Sequence, residues 1–199
     1  MTNRACLNLA VALLAVSPWL SPQARAEPQT FEIDQDHLSI VFLVDHVGYA
    51  RQFGQFLEAG GSFVYDESEN HLSGGEITIS ADSVFTNHDR RDRHLRNDDF
   101  LAVDDHPEIR FVVTDHRPID ANQHHVDGEL TLLGQTRPVT LDVTLNKAAD
   151  YPFGHGDYTL GLSARTTIKR SDWGMTYGLE GGLVGDEIEL WFELEAIAD

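Results

Sequence analysis

"VTLDVTLN", Val139 to Asn146, alternates an apolar with a polar residue through its whole length. A strand built on that period has one dry face and one wet face, whereas a helix would scatter the same residues around its circumference. The period recurs on both sides of this stretch. Ile188, Leu190, Phe192 and Leu194 alternate with Glu187, Glu189, Trp191, Glu193 and Glu195, and Ile77, Ile79 and Ala81 with Glu76, Thr78 and Ser80. Further dry faces are Ile109, Phe111 and Val113, then Val126, Leu130 and Leu132, then Leu160, Leu162 and Ala164. Leu38, Ile40, Phe42, Val44 and His46 form another. The run from Phe53 to Asp66, with Gly60 and Gly61 as a bulge or turn, completes about eight strands.

Eight amphipathic strands must cover their dry faces, and the chain offers few helices to do so. Closure into an eight-stranded antiparallel barrel, all-β with one or two short helices, removes the exposed edges and turns every dry face inward. A two-sheet sandwich is the competing architecture. At eight strands a barrel interior is either filled by its own side chains or just wide enough for one slender ligand.

The best helix candidate is Arg90 to Leu101, "RRDRHLRNDDFL", which holds four arginines. Thr86 or Asn87 can cap it, and it ends before Asp104-Asp105-His106-Pro107. Arginines and aspartates fall three or four residues apart, close enough to pair along the helix. The segment therefore either pins itself over the sheet or turns an arginine toward the polar end of a ligand.

Residues 1–26 have the layout of a cleaved export signal: Arg4, a short apolar run from Leu7 to Leu20, and Ala24-Arg25-Ala26 as a small-x-small site. Residues 27–199 then form one domain, expected in the periplasm and without stable membrane insertion, since no apolar run is long enough to span a bilayer. Cleavage removes Arg4 and Arg25 and no acid, taking the formal charge from −19 to −21. So acidic a chain repels phosphate backbones, which argues against nucleic acid as a partner. The sole cysteine, Cys6, leaves with the signal, and with it any disulfide or thiol chemistry.

Catalysis needs an activated nucleophile or a paired acid and base, and no serine here sits in a nucleophile-elbow context, so no enzyme is expected. Of ten histidines, His116, His124 and His125 are the densest group; they match no metal-ligand spacing, and His124-His125 reads as part of a hairpin loop. Trp191, on the otherwise acidic face of the last strand, marks either a homodimer seam or a solitary exposed aromatic. The alternative to ligand binding is a structural or protein-interaction module with a filled core.

Residues 31–196 also carry a series of short blocks in a fixed order. They begin with Phe31-Glu32-Ile33-Asp34, His37, Phe42, Val44 and His46, followed by Gly54 and Phe56. The central blocks are Ser83-Val84 with Thr86, Arg91-Asp92 with His94-Leu95, Phe100-Leu101, and Pro107 with Ile109 and Phe111. Gly128, Leu130-Thr131, Gly134, Pro138-Val139 and Leu141 come next; Ala164, Ile168, Arg170, Asp172-Trp173-Gly174-Met175 and Val184-Gly185-Asp186 close the series. Together and in this order the blocks resemble the YceI-like family of exported lipid-binding proteins; Leu38 and Gln52-Phe53 depart from the family's usual residues. The resemblance implies a lipocalin-like barrel that binds a long isoprenoid chain, a polyprenyl lipid or an isoprenoid quinone, in its interior, with no other cofactor.

A carrier of such a chain needs a long apolar lining, each buried Å² contributing about 25 cal/mol. The candidate lining is Phe42, Val44, Phe56, Ile79, Phe111, Leu132, Leu141, Leu162, Trp173 and Phe192, each of which also suits ordinary core packing. His46 ends a dry face where a polar side chain meets either a lipid head or water, and Arg91, with Asp92 and His94, is placed to hold a quinone or phosphate end.

Overall fold

The computed structural model describes residues 27–199; the export signal expected over residues 1–26 lies outside the described residues. The alternating stretches are strands, Ala81 alone falling just past its strand in a 3₁₀ turn. In chain order they are β1 (Gln29–His46), β2 (Ala50–Phe56), β3 (Ala59–Asp66), β4 (His71–Ser80), β5 (Val84–Phe85), β6 (Glu108–Pro118), β7 (Gln123–Leu132), β8 (Gln135–Asp150), β9 (Tyr158–Lys169) and β10 (Val184–Ala198). One helix, α1 (Asp89–Arg96), lies between β5 and β6.

All neighbouring strands are antiparallel. The order β10-β9-β8-β7-β6-β4-β3-β1 returns to β10 through the β1–β10 ladder, which closes an eight-stranded barrel and rules out the open sandwich. Strands β2 and β5 add no staves to this ring. The start of β1 pairs with β3 and its second half with β2 on the same side, while β5 pairs with β2 alone. β1 changes partner where it bulges: five steps from Ile33 to Leu38 match two steps of β10, from Ala196 to Leu194. The extra residues are tied locally, Asp34 accepting from the Asp36 N–H (3.0 Å) and bonding His37 Nδ1 (2.6 Å).

Four expectations change. The run Phe53–Asp66 is two strands, broken at Leu57 and Glu58, because Leu57 N–H donates to Ser83 and the chain steps from one partner to another. The helix is capped by His88, whose Nδ1 accepts from Arg91 N–H (3.3 Å), and not by Thr86 or Asn87. The Thr86 hydroxyl is bonded to Asp92, and Asn87 adopts a positive φ of 60°. The helix is anchored outward instead of along its own length. Asp92 accepts from Thr86 N–H (2.9 Å), and Arg96 pairs with Asp82 (2.9 Å) and donates to the carbonyls of Asp82 and Val84. Finally, Trp191 is no bare aromatic, since the Arg165 guanidinium lies 4.4 Å above its ring.

The dry faces meet in a core that runs the length of the barrel, with Ile40, Val84, Phe111, Leu130 and Phe192 in its larger cluster and Phe31, Tyr65, Leu160 and Leu194 at the end where the chain termini pair. Among the described residues no helix is long and apolar enough to cross a membrane.

Candidate functional site

The barrel is not filled. A cavity of about 400 Å³ occupies the half that holds α1, and a second of about 110 Å³ lies further along the strands. The division runs across the strands: Ile79, Ile109 and Phe192 face the larger chamber, while Ile77, Phe111 and Leu194, each two residues away on the same inward face of β4, β6 and β10, face the smaller.

Of the sequence candidates, Phe42, Val44, His46 and Phe56 line the larger chamber from β1 and β2, and Ile79, Arg91, Leu132 and Phe192 line it from the remaining wall. Phe111, Leu141 and Leu162 line the smaller one. Trp173 lines neither. It is buried in the second 3₁₀ turn, where its Nε1–H donates to the Leu130 carbonyl (3.1 Å), so it closes the wall instead of facing the cavity.

Polar groups gather at the mouth of the larger chamber. Arg91 donates from Nε to Thr86 Oγ1 (2.7 Å), from one Nη to Gln52 Oε1 (2.8 Å) and from the other to the Thr86 carbonyl (2.7 Å). All three acceptors are neutral, so among the described residues the guanidinium is oriented without a directly bonded counter-ion. Arg170, only 1% exposed, is satisfied in the same way by the carbonyls of Gly185, Met175, Tyr177 and Val184 at 2.7–3.0 Å. Burial pushes its pKa down, and Asp186, held by Ser171, opposes that shift. Arg170 thereby fixes the segment from Met175 to Gly185 against the barrel end. His94 stands edge-on to both Phe100 and Tyr177 (5.0 Å each) and bonds Asp99 (2.9 Å), forming an aromatic rim. The rim continues through Val47 and Leu183, joined by a backbone bond of 3.1 Å.

The other end carries no charge at its lining histidines. His116 and His124 are buried, their rings stacked 5.1 Å apart. Leu72 N–H donates to His116 Nδ1 (3.1 Å), which places the His116 proton on Nε2, from where it is given to His124 Nδ1 (3.0 Å). Desolvation lowers the pKa of both rings, with His124 and His71 adding to the effect on His116 and Asp120 opposing it at His124. His124 thus lies inside β7 and not in a hairpin loop. His125 is on the opposite face beside Asp142 (2.8 Å), so the three histidines share no common point. Asp34, His37 and Glu195 do bring one ligand atom each within 4.8 Å of the others, at the β1 bulge, outside both chambers.

Sequence reasoning missed Gln52, Thr86, Tyr177 and Arg170 as lining residues. Gln52 and Thr86 are neutral, and their role appears only once Arg91 is seen to rest on them. Arg170 had a local signal, a lone arginine directly after a strand of alternating period.

The sequence signature of the YceI-like domain matches residues 31–196. A UPF0312 protein of Pectobacterium carotovorum is 35% identical over 198 residues, 99% of this chain and 98% of the relative, and one of Pseudomonas aeruginosa is 35% identical over 195 residues, 96% and 98% of the two chains. Among solved structures, the Campylobacter jejuni YCEI protein superposes with a TM-score of 0.65 at 27% identity, covering 73% of this chain and 84% of its own. Burkholderia cenocepacia BcnA has a TM-score of 0.73 at 20% identity, covering 82% and 98%. A polyisoprenoid binding domain from Saccharophagus degradans, implicated in plant cell wall breakdown, has a TM-score of 0.64 at 15% identity, covering 86% and 99%. The last two likenesses are of fold alone.

Proposed function

The chain belongs to the YceI-like family, and from that membership and the chamber together we propose that it is a non-catalytic lipid-binding protein, holding the hydrocarbon chain of an isoprenoid lipid in its barrel. The observation that carries this reading is the cavity of about 400 Å³, walled by Phe42, Phe56, Leu130 and Phe192 and polar only at its mouth. Such a lining has no use for water and a direct use for hydrocarbon. The binding domain from Saccharophagus degradans, of the same fold, has a polyisoprenoid as its stated ligand, which supports the same class here.

In this reading the chain enters tail first and its polar end stays beside Arg91, His46 and Gln52. A guanidinium with neutral acceptors keeps its charge available to a phosphate or a quinone carbonyl. A polyprenyl lipid and an isoprenoid quinone both satisfy that chemistry. The working form is residues 27–199 in the periplasm, carrying or storing the lipid.

The test is organic extraction and mass spectrometry of the full chain after secretion from a bacterial host. About one isoprenoid lipid per chain is expected. A lipid-free protein that also fails to take up added polyprenol overturns the reading.

A further inference from the structure

Outside both chambers, the β1 bulge sets an imidazole between two carboxylates. Asp34 and His37 belong to the residues that β1 inserts between Ile33 and Leu38, and Glu195 stands opposite on β10, between Ala196 and Leu194, the partners of Ile33 and Leu38. Asp34 turns one oxygen to the Asp36 N–H (3.0 Å) and the other, Oδ2, to His37 Nδ1 (2.6 Å). Glu195 Oε2 is 3.7 Å from the same nitrogen, beyond hydrogen-bond reach. Nδ1 has one proton at most and Asp34 takes it. Glu195 Oε2 is left shut off from solvent, with no donor among the described residues.

An ionised oxygen in that position is costly, because it has lost its water and gained no partner. A cation would remove the cost. One ligand atom from each of the three residues lies within 4.8 Å of the other two. Ligands about 2.1 Å from a tetrahedral zinc ion lie roughly 3.4 Å apart, between the 2.6 Å and 3.7 Å seen here, so small side-chain rotations bring all three onto one ion. The imidazole selects the class of ion: calcium and magnesium take oxygen ligands, whereas a nitrogen beside two carboxylates suits zinc and its neighbours. His37 is half-exposed, which leaves an approach from solvent and a fourth position for water. The chain's formal charge of −19 raises the concentration of cations around it.

The place gives the ion a structural consequence. The β1–β10 ladder is the one that closes the barrel, and it is interrupted between Ile33 and Leu38. We propose that Asp34, His37 and Glu195 bind a divalent transition-metal ion of the zinc class, which fastens the β1–β10 seam across its bulge. Two ligands from β1 and one from β10 supply there the cross-strand attachment that the backbone lacks. The site stands apart from the cavity and does not depend on what the barrel holds.

The test is calorimetric titration of the secreted, untagged chain, stripped with a chelator, with zinc chloride near neutral pH. One zinc per chain is expected, with a Kd in the micromolar range. Glu195→Gln, which keeps the shape of the side chain, and His37→Ala, at a half-exposed position, should each weaken binding at least about tenfold. His125→Ala removes the outward histidine beside Asp142 and should leave the affinity within about twofold. Zinc at about a hundred times its Kd should raise the Tm of the wild type by roughly 5 °C, and that of Glu195→Gln by no more than about half as much. Absence of zinc binding by the wild type, an affinity unmoved by Glu195→Gln and His37→Ala, or one that falls with His125→Ala instead overturns the site. A wild-type Tm unmoved by saturating zinc overturns the fastening of the seam.

Discussion

The mouth of the barrel is closed by two guanidinium groups and its far end by two imidazoles, and the two pairs are satisfied in opposite ways. Arg91 and Arg170 keep their charges and spend their hydrogens on neutral oxygens. His116 and His124 remain uncharged, each ring supplying what the other needs. Burial disfavours charge at both places, but arginine cannot release its proton in practice, whereas histidine can. The difference gives the cavity a direction: one end tolerates a polar or anionic group and the other offers none.

The contrast can be broken hardest at Arg170. In Arg170→Ala four backbone carbonyls lose a charge-assisted donor in a buried place, so stability should fall by at least about 3 kcal/mol, lowering Tm by roughly 10 °C at ~2–4 °C per kcal/mol. A calorimetric shift of under two degrees would mean that water replaces the guanidinium and that the mouth is not held as described.

At the far end the probe is acid. Both histidines have lowered folded-state pKa values, so the unfolded chain takes up protons first as pH falls. The stability they confer is complete above the ordinary imidazole value of 6.5 and drains away below it, toward the depressed folded-state values. Tm should fall between pH ~7 and ~5, and the double substitution His116→Phe with His124→Leu should flatten that fall. His37 cannot mimic the effect: Asp34 raises its pKa, so its contribution is present below 6.5 and lost as pH rises. An unchanged acid slope in the double variant would place the titrating groups elsewhere.

Arg91→Ala is milder, since the residue is partly exposed and its acceptors can turn to water: a loss of about 1–2 kcal/mol. Retained lipid with a neutral head should survive, while affinity for a polyprenyl phosphate should drop about tenfold. Equal losses for neutral and anionic heads would remove the directionality. The smallest effect is expected outside the barrel, where Arg165→Ala uncovers Trp191 for about 0.5–1 kcal/mol and shifts its fluorescence to the red.

The strands are legible because alternation reports burial directly, and β1 shows how far that goes: of Leu38, Ile40, Phe42, Val44 and His46, one face in the sequence, all but Leu38 border the larger chamber. The same rule fails where a polar residue points inward. His124 breaks the apolar period and so suggests a loop, although its partner eight residues away satisfies it inside the wall. Thr86 reads as a helix cap and Gln52 only as a departure from the family, because their place at the mouth comes through Arg91, a contact spanning 39 positions in the case of Gln52. The break between β2 and β3 was hidden for a similar reason, since a strand that changes neighbours keeps its pattern while its hydrogen bonds move.

The seam between β1 and β10 has one more effect. It joins the first strand of the described chain to the last, from Phe31 opposite Ala198 to His46 opposite Val184. Until the final fifteen-residue strand has been delivered, the cylinder stays an unzipped sheet with a bare edge on each side. Such distant pairing is slow to find, so a newly made molecule spends its most vulnerable interval just before completion, when nearly everything has folded except the stitch that makes it a vessel.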